Sequence, residues 1–218
     1  MQTFIDTLLS LIAIILLSPL LLPIIFILKI TGEGEIFYTQ KRVGRHGKEF
    51  GLLKFATMLK DSPNIGAGEI TIHNDPRVLP IGKILRKTKL NELPQLFNII
   101  KGDMSIVGPR PMVPKTYAKY TKEAQTTLNT IRPGLTGIGS IFFRDEEKFL
   151  IDKDDPMAFY EEYIIPYKSD LEVWYVKNNS ITLYVQIILI TAWVVIFSKS
   201  KIAEKIFNEI PKRPKVLL

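Results

Sequence analysis

"TLLSLIAIILLSPLLLPIIFIL", residues 7 to 28, carries no charge over 22 positions, and about 20 apolar residues suffice to cross the hydrocarbon core of a bilayer. The stretch reads as a membrane segment. It does not read as a cleaved leader, because "MQTFID" ahead of it has no Lys or Arg and no small-residue cleavage site follows. Downstream, "KITGEGEIFYTQKRVGR" (29–45) is rich in Lys and Arg, which assigns the body of the chain to the cytoplasmic side. Ser18-Pro19 falls mid-segment with Pro23 one turn on. Each proline removes a backbone donor and crowds the preceding turn, so a sharp kink is expected. Two topologies stay open on these residues: a kinked span, and a helix-break-helix that dips into one leaflet and returns.

A second apolar run, "SITLYVQIILITAWVVIF" from Ser180 to Phe197, is shorter and interrupted by Gln186. Were it to cross, the tail "SKSKIAEKIFNEIPKRPKVLL" would leave the cytoplasm carrying Lys199, Lys201, Lys205, Lys212, Arg213 and Lys215, against the positive-inside bias. The run is therefore expected to be a buried or interface-lying helix, its basic tail resting on anionic headgroups. Composition agrees: 46% hydrophobic residues and a mean hydropathy of +0.14 are high for a fully soluble protein. The lack of cysteine excludes disulfides and thiolate zinc sites, and two histidines, His46 and His73, are too few for a histidine cage. A net charge of +7 suits anionic lipid or phosphate-bearing ligands. No helix-turn-helix, zinc-finger or ribonucleoprotein-type aromatic motif is present, which sets nucleic acid aside as a partner.

Between the apolar runs, "IFYTQKRVGRHGKEFGLLKFATM" (36–58) predicts two short strands joined at "GRHGK". Residues 61–80, with Pro63, Gly66, Gly68, Pro76 and Pro80, predict loop. From 77 to 89, Arg77, Lys83, Arg86, Lys87 and Lys89 alternate with Ile81, Ile84 and Leu85, an amphipathic surface suited to headgroups or a nucleotide phosphate. In "TKLNELPQLFNIIKGD" (88–103), Leu90, Leu93, Phe97 and Ile100 recur at helical spacing and Gly102 ends the helix. Pro94 is tolerated only in a first turn, so the helix is expected to start near Asn91, with Asn91 as cap and Glu92 at the positive dipole end. Exposed N–H groups at such a start attract phosphate, and an acid there holds a metal or attacks phosphorus. In "GDMSIVGPRPMVP" (102–114), prolines 109 and 111 fix the backbone on both sides of Arg110, making a stiff phosphate fork or a plain proline-rich surface loop. "IRPGLTGIGSIFFRD" (131–145) carries Arg132, Arg144 and three glycines, yet fits neither the dinucleotide fingerprint nor a Walker loop.

Taken together, the Ser-Pro pair, "KFATM" (54–58), "NDPRVLPIGKILRKTKLNELPQLFNIIKGDMSIVGPRP" (74–111) and "RPGLTG" (132–137) resemble the bacterial sugar transferase family, the small monotopic phosphoglycosyl transferases, over residues 4 to 190. The resemblance implies transfer of a sugar-1-phosphate from a UDP-sugar to polyprenol (undecaprenyl) phosphate with release of UMP, using Mg2+. The place is the cytoplasmic face of the bacterial inner membrane, and the product starts an exopolysaccharide or O-antigen. The expected fold is a mostly helical α/β mixture. It has a kinked re-entrant membrane helix over 1–31, broken at Ser18 and Pro19, then a cytoplasmic domain over 32–198 with a small β-hairpin and amphipathic interface helices. A basic tail follows over 199–218. Partners are the UDP-sugar, the polyprenol phosphate and an anionic bilayer, and a homodimer or glycan-pathway proteins are compatible. By position the catalytic pair falls on Asn91 and Glu92, with Glu92 also the metal ligand. Arg86, Arg110, Lys54 and Arg132 are the candidate phosphate contacts.

Three matched positions depart from the family pattern. Asn91 stands where the family has a nucleophilic Asp, Ala56 where it usually has a basic residue, and Ser140 where many members have Gln. An amide is neutral and its lone pairs are delocalised, so Asn91 does not do the work of a carboxylate nucleophile. Four alternatives follow. Another carboxylate takes over, Glu92, Asp103 or Asp75 being nearest; polyprenol phosphate attacks directly; Asn91 deamidates; or the chain is a catalytically silent member that binds nucleotide sugar or scaffolds a glycan-assembly complex.

Overall fold

The computed structural model describes residues 2–65, 75–151, 153–197 and 200–217, and shows a mostly helical chain with two small two-stranded sheets. Two compact units divide it: residues 1–40 with 51–102, and residues 41–50 with 103–218.

The first unit begins with α1 (Gln2–Ile30). Among the described residues it is the one helix long and apolar enough to cross a membrane, and 11% of its apolar window is buried. Leu16 is 72% exposed and Phe26 64%, an apolar surface that the described residues leave uncovered. The helical assignment runs through both prolines. Pro19 has no N–H for the carbonyl four residues back, that of Ile15, and Ser18 Oγ donates to that same oxygen at 2.7 Å. The Ser-Pro pair thus restores the hydrogen bond that its own proline removes, which matters where no water can do so. The buried face of α1 carries Asp6 and Ser10 near one end and Ile24 and Leu28 near the other.

β1 (Phe37–Val43) and β2 (Glu49–Phe55) form the hairpin expected around "GRHGK", where His46 and Gly47 take left-handed φ values of 60° and 70°. After β2 the chain runs beside residues 77–79: Leu59 N donates to Arg77 O and Leu79 N to Thr57 O, each at 3.0 Å. This starts α2 (Pro80–Lys87) directly on the "KFATM" segment, and Gly82 lies so close to Thr57 O that a Cβ would collide with it. The expected loop over 61–80 contains a 3-10 turn at Ser62–Asn64; its residues 66–74, with His73, lie outside the described residues.

The helix expected from Asn91 forms differently. Lys89 adopts φ 60°, which turns the chain sharply after α2. Residues Leu90–Glu92 then make a 3-10 turn, and α3 (Gln95–Lys101) begins only after Pro94, which stands at its N-cap position in place of Asn91. The buried residues of α3 are Gln95, Leu96, Asn98 and Ile99, and Phe97, which its spacing sets on one face with Leu90, Leu93 and Ile100, is 49% exposed. Gly102 closes the helix at φ 91° as expected. α3 packs against α1 and holds β2 through one side chain: Asn98 Oδ1 accepts from Leu53 N at 2.9 Å and Asn98 Nδ2 donates to Gly51 O at 2.8 Å. The amide thereby substitutes for a neighbouring strand on alternate residues of the sheet edge.

The second unit is organised by β3 (Ser105–Val107) lying parallel to β4 (Gly134–Thr136), with Ser105 opposite Gly134 and Val107 opposite Thr136. Between the strands come α4 (Pro114–Tyr117) and α5 (Lys122–Leu128). After them follow α6 (Ile138–Phe142), α7 (Pro156–Phe159), α8 (Ile165–Lys177), α9 (Ile181–Ile196) and α10 (Ile202–Ile206). Val107, Ile138, Leu171, Tyr175 and Ile187 form the fully buried centre. α9 corresponds to the second apolar run and is two-faced: Leu183, Ile187, Ile190 and Val194 are buried, whereas Ile181, Val185, Leu189 and Trp193 are exposed. The chain then returns to the same core. Ala203, Phe207 and Leu217 are buried, and Tyr167 Oη donates to Pro211 O at 3.2 Å.

Asn98→Ala removes two part-buried hydrogen bonds and should lower the unfolding free energy by about 2 to 3 kcal/mol; Asn98→Asp, unable to donate to Gly51 O, should also destabilise. Chemical denaturation in detergent checks this, and wild-type stability in both variants would contradict it.

Candidate active-site segments

In the first unit, Lys54 lies on β2, Arg86 on α2, and Asn91 and Glu92 in the turn that joins α2 to α3. That turn is conformationally costly, since a left-handed non-glycine residue such as Lys89 is about 1–2 kcal/mol unfavourable, and strain of this kind is found where a loop must present a functional group. Asn91 is 7% exposed, and its Oδ1 is buried with no hydrogen-bond partner. An orphaned buried acceptor is unusual in a folded protein. Here it sits one residue from a part-buried carboxylate, so the pair offers oxygen atoms of the kind magnesium takes, and magnesium characteristically binds one or two carboxylates with the rest from water and substrate phosphates. No cluster of three or more His, Cys, Asp or Glu suited to a metal occurs among the described residues. Of the two side chains at this turn, Glu92 alone carries a charge that a metal ion would favour.

One sequence expectation changes in this unit. Arg77, grouped with the surface cations, is 3% exposed and bound to Asp75: its Nε donates to Asp75 Oδ1 at 2.8 Å and its Nη2 to Oδ2 at 2.5 Å, while Nη1 donates to Ser62 O at 2.7 Å. Asp75, 3% exposed, is therefore held in a buried ion pair. Lys83 and Lys87 remain exposed on α2.

In the second unit the "GPRP" segment is hydrogen-bonded at each of its four residues. Gly108 N donates to Thr136 O at 2.9 Å, Pro109 O accepts from Gly134 N at 2.8 Å, and Arg110 N donates to Glu172 Oε1 at 3.1 Å. Pro111 O accepts from Arg42 Nη1 at 3.1 Å and Met112 O from Val43 N at 2.9 Å. Prolines supply no N–H at 109 and 111, so the two N–H groups left at 108 and 110 both find acceptors. The same contacts bring the Arg132 segment alongside, since a Cβ on Gly108 would stand 2.5 Å from Arg132 O. The glycines of "RPGLTGIG" are thus explained by close backbone approach rather than by phosphate cradling. A shallow cleft beside Arg110, lined also by Met112, Tyr117, Asn129 and Pro133, encloses about 20 Å³, room for a single water and too little for a nucleobase.

Glu172 on α8 escaped the sequence reading. It is fully buried, and desolvation pushes its carboxyl up to about 7, opposed by the Arg110 backbone hydrogen bond and the charges of Lys168 and Arg110. Lys168, one turn back, is 4% exposed and donates to both oxygens of Glu146, at 2.8 and 2.9 Å. Burial opposes its charge, and the Glu146 carboxylate holds that charge in place. In the sequence, Lys168 and Glu172 look like an ordinary i,i+4 pair on a solvated helix face, and no local signal marks them as buried. Asp6, fully buried on α1, was overlooked too, although an acid at the head of an apolar helix is a signal in itself.

The family model for bacterial sugar transferases matches residues 1–198, and the chain belongs to that family. Among curated relatives, it is 40% identical over 158 residues to "Exopolysaccharide production protein ExoY" of Sinorhizobium fredii, covering 66% of this chain and 70% of that one. It is 34% identical over 210 residues to the "Undecaprenyl-phosphate galactose phosphotransferase" of Salmonella typhimurium, covering 89% of this chain and 40% of the relative. It is 32% identical over 196 residues to the "Undecaprenyl-phosphate glucose phosphotransferase" of Komagataeibacter xylinus, covering 88% and 35%. The chain thus spans less than half of the named phosphotransferases.

The Glu172 environment gives a signed pH dependence. The folded carboxyl keeps its proton up to about pH 7, against 4.5 ordinarily, so its contribution to stability is full below pH 4.5 and is lost as pH rises through 7. Glu172→Gln cannot titrate and should gain on the wild type by roughly 2 to 3 kcal/mol between pH 4.5 and 7. Denaturant titrations at pH 5 and pH 8 measure the difference; a gap that does not change with pH would contradict the assignment.

Proposed function

We propose that this chain transfers a sugar-1-phosphate from a UDP-sugar to undecaprenyl phosphate at the cytoplasmic face of the bacterial inner membrane, releasing UMP and starting an exopolysaccharide or O-antigen. The observation that carries the reading is the family match over residues 1–198, joined to relatives whose names specify phosphotransfer to undecaprenyl phosphate. Supporting it are the lipid-compatible faces of α1 and α9. The reading takes α1 as a monotopic re-entrant helix that turns at Ser18 and Pro19, and places the exposed face of α9 and the Lys-rich surface of α2 against anionic headgroups.

In this reading an acceptor phosphate oxygen attacks the β-phosphorus of the UDP-sugar, a new P–O bond forms, the bond to the bridging oxygen breaks, and UMP leaves with that oxygen. The acceptor is already ionised, so no proton need be removed. Asn91, being neutral, orients a ligand through its Oδ1 and does not attack. Glu92 is the residue that would hold Mg2+. Magnesium, when bound, offsets the diphosphate charge and polarises the P–O bond that breaks. Arg110 and Arg132 contact phosphate, as do Lys54 and Arg86, through charge-assisted hydrogen bonds. A second reading, a catalytically silent member that binds nucleotide sugar or scaffolds a glycan-assembly complex, is favoured by one specific observation: the buried side chain at 91 carries no charge.

UMP release from a panel of UDP-sugars, with undecaprenyl phosphate and magnesium, separates the two. The transferase reading expects turnover by the chain as it stands and a loss of at least about 10²-fold in Glu92→Gln. Silence with every sugar, relieved by Asn91→Asp, selects the second reading. For topology, single cysteines at positions 3 and 45 should be labelled from the same side of the membrane; labelling from opposite sides establishes a span.

A further inference from the structure

The carboxyl of Glu172 lies where neither the proposed phosphate contacts nor the hydrophobic core requires one. It is fully buried, its Oε1 accepts the Arg110 N–H at 3.1 Å, and its Oε2 has no hydrogen-bond partner. Of the backbone donors in "GPRP", the Gly108 N–H is taken by β4 through ordinary strand pairing. The Arg110 N–H is taken by a side chain 62 residues away. Space for that side chain has been cleared: Gly139 leaves no room for a Cβ, which would collide with Oε1. A buried acid that merely filled space would be replaced by an apolar residue at no loss, because burying a carboxyl costs several kcal/mol unless it does something a hydrocarbon cannot.

We propose that Glu172 is the positioning residue for Arg110: its buried carboxyl fixes the backbone of the proline-flanked segment from one side, so that the guanidinium is held ready for a nucleoside diphosphate. The claim rests on Arg110 being a phosphate contact, as proposed above. The segment's remaining restraints come from β4 and from Arg42 and Val43 of the hairpin tip, and none of them touches the Arg110 peptide N–H. The charged and titratable groups facing the carboxyl are Arg110 itself, Lys168 on the same helix, and Tyr120, whose hydroxyl is pushed up by burial and then by Glu172. From α6 and its start, Gly137 and Gly139 approach the carboxyl oxygens, and α6 carries no titratable side chain.

The test uses the full chain in detergent or nanodiscs, with UDP and magnesium as the ligand and calorimetry as the readout. Glu172→Leu should weaken UDP binding about tenfold, the loss of one buried hydrogen bond, and should weaken it no further in an Arg110→Ala background. It should also speed hydrogen exchange at the Arg110 amide while leaving Gly108 protected. Equal losses in both backgrounds, or an unchanged Arg110 amide, would overturn the proposal. Should Glu172→Leu not fold, two milder variants carry the test. Gly139→Ala should displace the carboxyl and reproduce the weaker binding and faster exchange. Glu172→Gln keeps an acceptor oxygen, so its affinity should match the wild type below pH 7 and fall behind above it, where the ionised carboxylate bonds more strongly; a ratio that stays flat from pH 6 to pH 8 would overturn the proposal. If Arg110→Ala binds UDP as the wild type does, the phosphate role of Arg110 fails on its own, and the amide-exchange arm still decides whether Glu172 fixes the segment.

Discussion

The second unit depends on one constraint: between Gly108 and Met112 five backbone groups, two N–H and three carbonyls, are held by hydrogen bonds from separate parts of that unit. The two prolines remove donors and set φ. β4 takes one N–H and supplies one in return, the hairpin tip supplies two donors, and Glu172 accepts the last N–H. The glycines at 108, 134, 137 and 139 follow from this, because side chains at those positions would force the segments apart. A guanidinium projecting from such a segment loses little freedom on binding, and the entropy that ordering would otherwise consume is one of the larger penalties in recognition.

Membrane association poses a similar problem of unsatisfied groups and is met by local chemistry. Proline inside an apolar helix frees a carbonyl that lipid cannot solvate. In α1 the residue immediately before Pro19 carries the hydroxyl that reaches the freed Ile15 oxygen, so that carbonyl is satisfied without water. α9 manages its apolar content in another way, by dividing it: one face enters the core of the second unit and the other remains outside. Its length and its Gln186 make it a poor span, and its two-faced burial accounts for a sequence that is apolar nearly all round.

Much of this was legible in the residues, for identifiable reasons. Charge-free length betrayed α1, turn glycines betrayed the hairpin, and the long ordered run from Asp75 to Pro111 betrayed the family. Features set by tertiary contact were not legible. The left-handed Lys89 ahead of α3 has no glycine or asparagine to announce it. Asn98 bridging a strand edge, Arg77 folding back on Asp75, and Glu172 reaching the "GPRP" backbone all involve polar residues that local pattern assigns to solvent. Each is decided by a partner distant in sequence, or by the desolvation that such a partner offsets. Asn91 shows the limit from the opposite side: its chemistry is plain from the sequence, but its buried, partnerless oxygen is a fact of packing.

The central claim is that the Arg110 segment is rigid before any ligand arrives. Native-state hydrogen exchange on the unliganded wild-type protein tests it most directly. The account expects the amides of Gly108, Arg110 and Gly134 to exchange only through global unfolding, at rates matching Leu171 in the core. Exchange of the Gly108 and Arg110 amides at the rates of an open loop, with Leu171 still protected, would contradict it.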